Sequence, residues 1–153
     1  MEALLRHPGQ RALLAREPAR IPVAVEEMLR WVTPIQNMNR TATRDLELRG
    51  QRIRKGDKVL LLYASANRDE SVFDAPDRFD VTREPNPHLA FGGYGTHHCL
   101  GASLARLELR VMFEELLAAL PDLELTSDAP LALRPSNFIV GLQSMPVVFA
   151  PRS

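Results

Sequence analysis

Apolar positions in the first quarter of the chain recur at helical spacing and are interrupted by prolines. The segment from Ala3 to about Ala15 is rich in Leu, Ala and Arg but contains Pro8-Gly9, which predicts the end of one helix and a short second one. From Val23 to Val32 the apolar residues fall three or four positions apart, and Pro34 follows them. This pattern predicts a third helix with one apolar face.

In the middle of the chain, apolar and polar residues alternate instead of following helical spacing. Residues 46–53 alternate, contain the turn-forming triplet Arg49-Gly50-Gln51 and resume at Ile53, which predicts a hairpin. The apolar run from Val59 to Tyr63 predicts a more buried strand. Proline and charge dominate from Asp69 to Leu89, so we expect a long ordered loop there.

The last third of the chain predicts one long helix followed by short strands. Apolar and charged residues share the run from Leu100 to Leu120 at helical spacing, and Pro121 ends it. A turn is expected at residues 137–141. Short antiparallel strands are expected at three places: Leu123 with Leu125, Leu131 with Leu133, and Val147 to Phe149.

Composition narrows the class of protein. A chain of 153 residues has the length of one domain, here taken as residues 1–153. Its formal net charge is +0, so nothing indicates nucleic acid or an anionic membrane as a partner. A single cysteine excludes a disulfide framework. No apolar run approaches the roughly 20 residues that span a bilayer, and no leader opens the chain, so we expect a cytoplasmic protein.

The single cysteine lies in a glycine-rich segment directly before the predicted long helix. Residues 91–101 read Phe-Gly-Gly-Tyr-Gly-Thr-His-His-Cys-Leu-Gly, and glycine lets the backbone approach a flat ligand closely. A helix N-terminus stabilises negative charge and lowers the pKa of a thiol, which makes Cys99 a candidate metal ligand. A lone cysteine is also often an inert buried residue, and the segment alone leaves both interpretations open.

Zinc is the competing metal for this cluster of His and Cys residues. Structural zinc takes four ligands from spaced pairs, and the consecutive residues His97, His98 and Cys99 cannot easily converge on one tetrahedral ion. Covalent c-type heme attachment needs two cysteines before a histidine and is excluded. His88 and His98 are therefore interpreted as ordinary loop residues.

The cysteine segment resembles the heme-binding signature of the cytochromes P450. That signature places a phenylalanine before the pattern Gly-x-Gly-x-His-x-Cys-x-Gly. Gly92 here occupies the usual aromatic position, and Phe91 lies one residue earlier. The residues that fall on the spacing are Gly93, Gly95, His97, Cys99 and Gly101.

Further matches follow the family order along the chain. The predicted third helix contains the Glu-x-x-Arg pair as Glu27 and Arg30, whose i, i+3 spacing lets a carboxylate and a guanidinium pair on one helix face. Arg78, in Pro-Asp-Arg-Phe, matches the arginine that joins this pair to lock the loop beneath the heme. Arg40, just before the hairpin, matches the arginine set against a heme propionate, whereas Arg44 is interpreted as an exposed turn charge.

The resemblance implies an α+β, mainly α fold with short antiparallel sheets and a long cysteine-bearing loop before a helix. It implies heme b (iron protoporphyrin IX) on the axial thiolate of Cys99, with His97 as a second propionate donor. It also implies insertion of one oxygen atom of dioxygen into a C–H bond of an apolar small molecule, with steroids and lipids as the substrate class. A ferredoxin and reductase would supply electrons, since no dinucleotide fingerprint is present.

In the family, two segments of this chain would border the substrate cavity. Their apolar residues are candidate walls, although core packing explains them equally well: Ile35, Met38, Phe138 and Ile139. The resemblance covers the carboxy-terminal portion of the family only, and the oxygen-activating distal helix has no counterpart. A truncated chain, a misassigned start, a non-catalytic heme-binding fragment and an inactive gene remnant are the alternatives to an active enzyme.

Overall fold

The computed structural model describes residues 1–150 as a helical body that carries short antiparallel sheets. The mixed architecture expected from the sequence is confirmed. Along the chain the elements are α1 (Glu2–Arg6), α2 (Pro8–Arg16), a 3₁₀ turn (Pro18–Arg20), α3 (Ile21–Val32), β1 (Asn37–Thr41), β2 (Leu46–Leu48), β3 (Gln51–Ile53), β4 (Lys58–Leu62), α4 (Tyr63–Ala66), α5 (Ala102–Ala119), β5 (Glu124–Leu125) and β6 (Val147–Val148).

Helix α3 is the central element, and its ends follow from local chemistry. Pro22 stands in the first turn, where a missing N–H costs nothing. Thr33 ends the helix in the left-handed conformation with a φ of 44°, and its N–H donates to the Leu29 carbonyl at 2.9 Å. Pro34 then prevents the helix from continuing. The third predicted helix is therefore confirmed, with its start at Ile21 rather than Val23.

The apolar face of α3 forms the middle of the core. Helices α2 and α5 pack around it, and the loop after α4 adds aromatic and aliphatic side chains. The buried apolar residues of this cluster are Leu4, Leu14, Ile21, Ala24, Val25, Met28, Leu29, Phe79, Val81, Ala90, Phe113 and Leu117. Site residues on α3 are therefore attached to the best-packed part of the chain.

The strands form three separate two-stranded antiparallel sheets. The predicted hairpin is confirmed as β2 and β3, with Leu46 opposite Ile53. Strand β4 pairs with β1, but the expectation of a buried strand through Tyr63 was wrong. Leu60 and Leu62 are 52% and 53% exposed, because β4 has only one face covered, and Tyr63 already belongs to α4.

The carboxy-terminal part departs from the sequence expectation in two places. Helix α5 begins at Ala102, with Gly101 as its N-cap residue, so Leu100 is outside the helix and fully exposed. Leu133 forms only an isolated bridge with Leu142, whereas β5 and β6 pair as expected. None of the helices formed by residues 1–150 has the length and apolar character needed to cross a bilayer.

A buried ion pair on α3 holds the long loop between α4 and α5. No helix or strand forms from 67 to 101, as expected for the proline-rich part of this segment. Glu27 and Arg30 are both 0% exposed, and their two hydrogen bonds are each 2.8 Å long. Arg30 also donates to the backbone carbonyls of Asn67, Pro76 and Arg78 at 2.7, 2.9 and 3.3 Å. One guanidinium thus satisfies three loop carbonyls.

The arginine that completes this ion pair is Arg83, which corrects the expectation for Arg78. The Arg78 side chain is 66% exposed and pairs with Asp80, so only its carbonyl takes part. Arg83 donates to Glu27 at 3.1 Å, is 9% exposed and binds the loop carbonyls of Asp74 and Ala75 as well as the Arg78 carbonyl that Arg30 also binds. Arg83 reaches Glu27 because the loop turns at residues 80–83 and directs the Arg83 side chain back toward α3.

A second carboxylate on α3 connects the helix to α5. Glu26 accepts hydrogen bonds from Arg106 at 2.7 and 2.9 Å and lies 3.0 Å from the His88 ring nitrogen. Burial opposes ionisation of Glu26, but the hydrogen bonds from His88 and Arg106 outweigh it and lower its pKa from 4.5 to about 2. Glu26 is therefore ionised at neutral pH and fixes two otherwise separate segments.

We predict that Arg30→Met lowers the free energy of unfolding by about 3–5 kcal/mol, because it removes the two 2.8 Å hydrogen bonds to the buried Glu27 carboxylate and leaves three loop carbonyls without their donor. Urea unfolding followed by circular dichroism measures this change. Arg20→Met is the matched control, since the Arg20–Glu17 pair is exposed and its loss should cost about 0.5 kcal/mol or less. Equal losses in the two variants would contradict the central role of the buried pair.

We predict that Glu26→Gln lowers stability most at neutral pH. Because folding lowers the pKa of Glu26 from 4.5 to about 2, its ionised form stabilises the fold above about pH 4.5 and loses that effect as the pH falls toward 2. The stability difference between wild type and variant should shrink over that interval, measured by urea unfolding at several pH values. A difference independent of pH, or one matched by Glu114→Gln at the exposed Arg110 pair, would refute the assignment.

Candidate functional site

One cavity brings together most of the residues that the sequence singled out. Its volume is about 720 Å³, within the range of small-molecule sites. It lies between the end of α3, strand β1, the start of α4 and the cysteine loop (residues 91–101). Its lining consists of Leu29, Pro34, Ile35, Met38, Asn39, Arg40, Tyr63, Ala90, Phe91, Gly92, His97 and Cys99.

The thiol of Cys99 is free and exposed at this cavity. The Cys99 N–H donates to the Phe91 carbonyl at 3.0 Å, which closes the loop on itself. The Cys99 carbonyl accepts a hydrogen bond from the N–H of Ala102 at 3.2 Å, at the first residue of α5. The backbone of Cys99 is thus held on both sides while its side chain remains open, and the inert buried cysteine is excluded.

The glycines of the cysteine loop serve different purposes. Gly92 and Gly95 have φ values of 82° and 111°, which L-residues rarely adopt. A Cβ atom at Gly92 would also stand 3.7 Å from the Tyr63 hydroxyl. Gly93 and Gly101 have no such constraint, and a Cβ atom at either would have nothing within 4 Å. The loop path therefore requires two of its four glycines.

Two cationic or hydrogen-bonding side chains share the cavity with the thiol. Arg40 projects from β1 and His97 from the cysteine loop, so elements 57 positions apart in sequence contribute to one lining. Arg40 donates to the neighbouring Asn39 carbonyl at 2.9 Å and keeps its other donors for a ligand. Arg44 is exposed and absent from the cavity lining, in agreement with its interpretation as a turn charge.

The candidate wall residues divide into two groups. Ile35 and Met38 line the cavity, whereas Phe138 and Ile139 do not. Phe138 and Ile139 are 40% and 48% exposed and belong to a turn that is joined to the same segment. Ile139 forms an isolated bridge with Ile35, and the Phe138 carbonyl accepts a hydrogen bond from Gln36 at 2.8 Å. Both residues therefore lie beside the cavity lining.

Several residues of the site were missed by the sequence analysis. Tyr63 reaches the cavity because β4 ends one residue before it and the chain turns into α4. His88 was interpreted as an ordinary loop residue, but its side chain is 2% exposed and bound to Glu26. In the sequence, the one signal that could have placed Tyr63 at the cavity is an apolar run that ends at an aromatic residue. No group of three or more metal-binding side chains occurs in the described part of the chain, so zinc gains no support.

The chemistry of the lining fits the heme that the sequence resemblance implies. A thiolate is a known axial ligand of heme iron, and Cys99 presents an open thiol to the cavity. Arg40 and His97 offer charge-assisted hydrogen bonds to carboxylates such as propionates. Apolar side chains and the backbone of Gly92 supply the remaining surface for a flat macrocycle. The donor set and apolar surface of this lining therefore suit a heme.

Comparison with known proteins agrees with the geometry. The steroid C26-monooxygenase of Mycolicibacterium smegmatis is 55% identical over 150 residues, which is 98% of this chain and 37% of the relative. The methyl-branched lipid omega-hydroxylase of Mycobacterium bovis is 50% identical over 149 residues, 97% of this chain and 34% of the relative. The chain thus spans little more than a third of the length of the curated relatives it matches.

Solved structures give the same result for the fold. P450BioI in complex with hexadec-9Z-enoic acid ligated acyl carrier protein superposes with a TM-score of 0.92 at 45% identity, covering 97% of this chain and 38% of that one. A Mycobacterium marinum cytochrome P450 in complex with pseudoionone gives 0.90 at 49% identity, covering 96% and 35%. The family model "Cytochrome P450" matches residues 21–138, which include both the α3 ion pair and the cysteine loop. The chain belongs to the cytochrome P450 family.

Proposed function

We propose that this chain forms the thiolate-bearing face of a heme-dependent monooxygenase. The observation that carries the proposal is the convergence of Cys99, Arg40 and His97 on one largely apolar cavity. The relatives that bear monooxygenase and hydroxylase names support the same reaction class. The bound cofactor, heme b, would supply the chemistry that activates dioxygen for insertion into a C–H bond.

Each residue of the chain has a defined task in this proposal. Cys99 would hold the iron as a thiolate, the ligand type that favours cleavage of the O–O bond. The Phe91 carbonyl holds the Cys99 backbone at 3.0 Å, so the sulfur stays in place when the cofactor enters. Arg40 and His97 would donate hydrogen bonds to the propionates. Gly92 would keep the cavity face of the loop free of a Cβ atom, whereas Gly93, Gly95 and Gly101 are assigned to the cofactor loop by the resemblance to the signature.

The substrate proposed is an apolar small molecule of the steroid or lipid class. Ile35 and Met38 supply an apolar wall on the cavity, and the turn with Phe138 and Ile139 lies beside this wall. The names of the relatives, a steroid C26-monooxygenase and a methyl-branched lipid omega-hydroxylase, support this class. Electrons would come from a ferredoxin and its reductase.

Heme binding without turnover is the second candidate function. Among residues 1–150, the cavity lining contains a thiol, an imidazole and a guanidinium but no carboxylate that could relay a proton. A chain that binds heme yet makes no product with ferredoxin, reductase and a steroid or branched-lipid substrate would support this second candidate. Hydroxylated product, detected by mass spectrometry, would support the monooxygenase.

We predict that Cys99→Ser abolishes the thiolate spectrum of the heme-loaded chain, because no other cysteine is present to replace it. The measurement is the Soret band of the reduced carbon monoxide complex, which is red-shifted under thiolate ligation. Tyr94→Ser is the matched control, since Tyr94 belongs to the same loop, is fully exposed and does not line the cavity. A Cys99→Ser variant with the wild-type spectrum would remove Cys99 from the proposal.

We predict that Arg40→Gln weakens heme binding by roughly ten- to hundredfold, the loss expected for a charge-assisted hydrogen bond to a propionate. His97→Gln should weaken it in the same direction. Heme titration followed by absorbance measures the dissociation constant, and Arg44→Gln serves as the control outside the cavity. Unchanged affinity in Arg40→Gln, or an equal loss in Arg44→Gln, would contradict the propionate assignment.

A further inference from the structure

We infer that Arg106 is a positioning residue for Cys99, acting through the ring of Phe91. Arg106 belongs to α5, lies outside the cavity lining and has no assigned role in the site. The inference rests on the proposed function only in that Cys99 is taken as the iron ligand. The contacts that carry it form a continuous chain from α3 through α5 to the cysteine backbone.

The first step of this chain fixes the guanidinium of Arg106 in space. Its Nε and Nη2 atoms donate to the two carboxylate oxygens of Glu26 at 2.7 and 2.9 Å. This two-bond arrangement sets the plane of the guanidinium as well as its position. Glu26 belongs to α3, at the centre of the core. The orientation of the guanidinium is therefore fixed relative to a well-packed helix.

The second step passes from the guanidinium to the ring of Phe91. The Arg106 Cζ atom lies 4.6 Å from the centroid of the Phe91 ring, within the range of a cation–π contact. The rings of His88 and His98 flank the same phenyl group at 6.1 and 6.5 Å. The Phe91 side chain is thus held by a charged plane and by two neighbouring rings.

The third step joins Phe91 to the thiol residue through the backbone. The carbonyl of Phe91 accepts the hydrogen bond from the Cys99 N–H at 3.0 Å. Any displacement of the Phe91 ring that rotates its backbone therefore moves the acceptor that holds Cys99. Because the sulfur is exposed, this backbone contact has a large share in limiting its position.

A second set of contacts fixes the segment just before Phe91. His88 accepts a hydrogen bond from the Ala90 N–H at its Nδ1 atom, 3.2 Å away, which leaves the proton on Nε2 to donate to Glu26 at 3.0 Å. The Leu89 N–H donates to the Asn67 side chain at 2.7 Å. The hydrogen bonds of Ala90 to His88 and of Leu89 to Asn67 do not involve Arg106, and His88 shares only the Glu26 carboxylate with it. Removing Arg106 should therefore loosen the Phe91 ring and Cys99 without unfolding the loop.

The geometry also explains why the residue is an arginine. A guanidinium can pair with a carboxylate through its edge while its face lies over an aromatic ring, whereas an ammonium group is a point charge without a plane. Arg106→Lys keeps the charge but loses the fork and the stacked plane. Arg110, one turn further along α5, pairs with the exposed Glu114, and no hydrogen bond, ion pair or ring contact joins it to the cysteine loop among residues 1–150, so it provides a matched control.

The test uses the single cysteine as a reporter in the heme-free chain. Cys99 is exposed and can therefore carry a nitroxide label. The electron paramagnetic resonance spectrum of the label reports the mobility of the loop. We expect Arg106→Met to raise the ratio of mobile to immobile label by about two- to fivefold, the change that an exposed cation–π contact can account for. Arg106→Lys should give a smaller rise in the same direction. Arg110→Met should leave the spectrum unchanged.

A double-mutant cycle decides whether Phe91 carries the effect. Phe91→Leu should itself mobilise the label, and adding Arg106→Met to Phe91→Leu should produce no further change. A wild-type spectrum for Arg106→Met, or an undiminished effect in the Phe91→Leu background, would overturn the inference. Should Arg106→Met fail to fold, Arg106→Lys in both backgrounds gives the same comparison.

This readout separates the inference from the proposed function. The label spectrum is recorded without heme, so it reports positioning whether or not Cys99 binds iron. The proposed function fails instead when Cys99→Ser keeps the thiolate spectrum. Two results together support the inference and the proposed function: a mobile label in Arg106→Met, and a changed Soret band when the same variant is loaded with heme. Arg110→Met should show neither change.

Discussion

The structure depends on a guanidinium and a carboxylate that are buried together beneath a loop of 35 residues without regular secondary structure. Such a loop leaves many carbonyl groups without strand or helix partners, and a buried unpaired carbonyl is costly. Arg30 binds three of them and Arg83 binds three, with the Arg78 carbonyl shared by both. The charge of Glu27 makes it possible to bury two arginines at this point. The ion pair thus acts as the substitute for secondary structure in this part of the chain.

This arrangement explains how a flexible-looking segment can position a thiol. The cysteine loop continues directly from the loop that Arg30 and Arg83 hold, and it ends at the first turn of α5. Asn67 adds a further connection, because its buried amide binds Thr33 at the end of α3 and the Leu89 N–H just before the cysteine loop. Both ends of the cysteine loop are therefore attached to the core. The side chains on its cavity face can then vary without loss of the loop conformation.

The sequence predicts those parts of the fold that depend on local pattern. The α3 helix, the hairpin of β2 and β3, and the glycine-rich approach to α5 all follow from residues that are neighbours in the chain. The resemblance to a known signature adds Cys99, Arg40 and His97, which the structure places on one cavity. Ile35 and Met38 also reach that cavity, although their apolar character alone did not separate a wall from a core.

The assignments that sequence could not make are those that depend on the path of a loop through space. Arg78 and Arg83 are both arginines in a charged, proline-rich segment, and only the turn at residues 80–83 decides which one faces Glu27. The same limit applies to the adjacent residues Glu26 and Glu27. Consecutive positions on a helix point about 100° apart, so each carboxylate must serve a different neighbour. Glu27 holds the loop after α4 and Glu26 holds α5 and His88, so two successive residues of one helix position both halves of the structure beneath the cavity. A pair of identical letters in the sequence thus conceals two separate structural tasks, and burial distinguishes them: Glu27 is 0% exposed whereas Glu26 is 28% exposed.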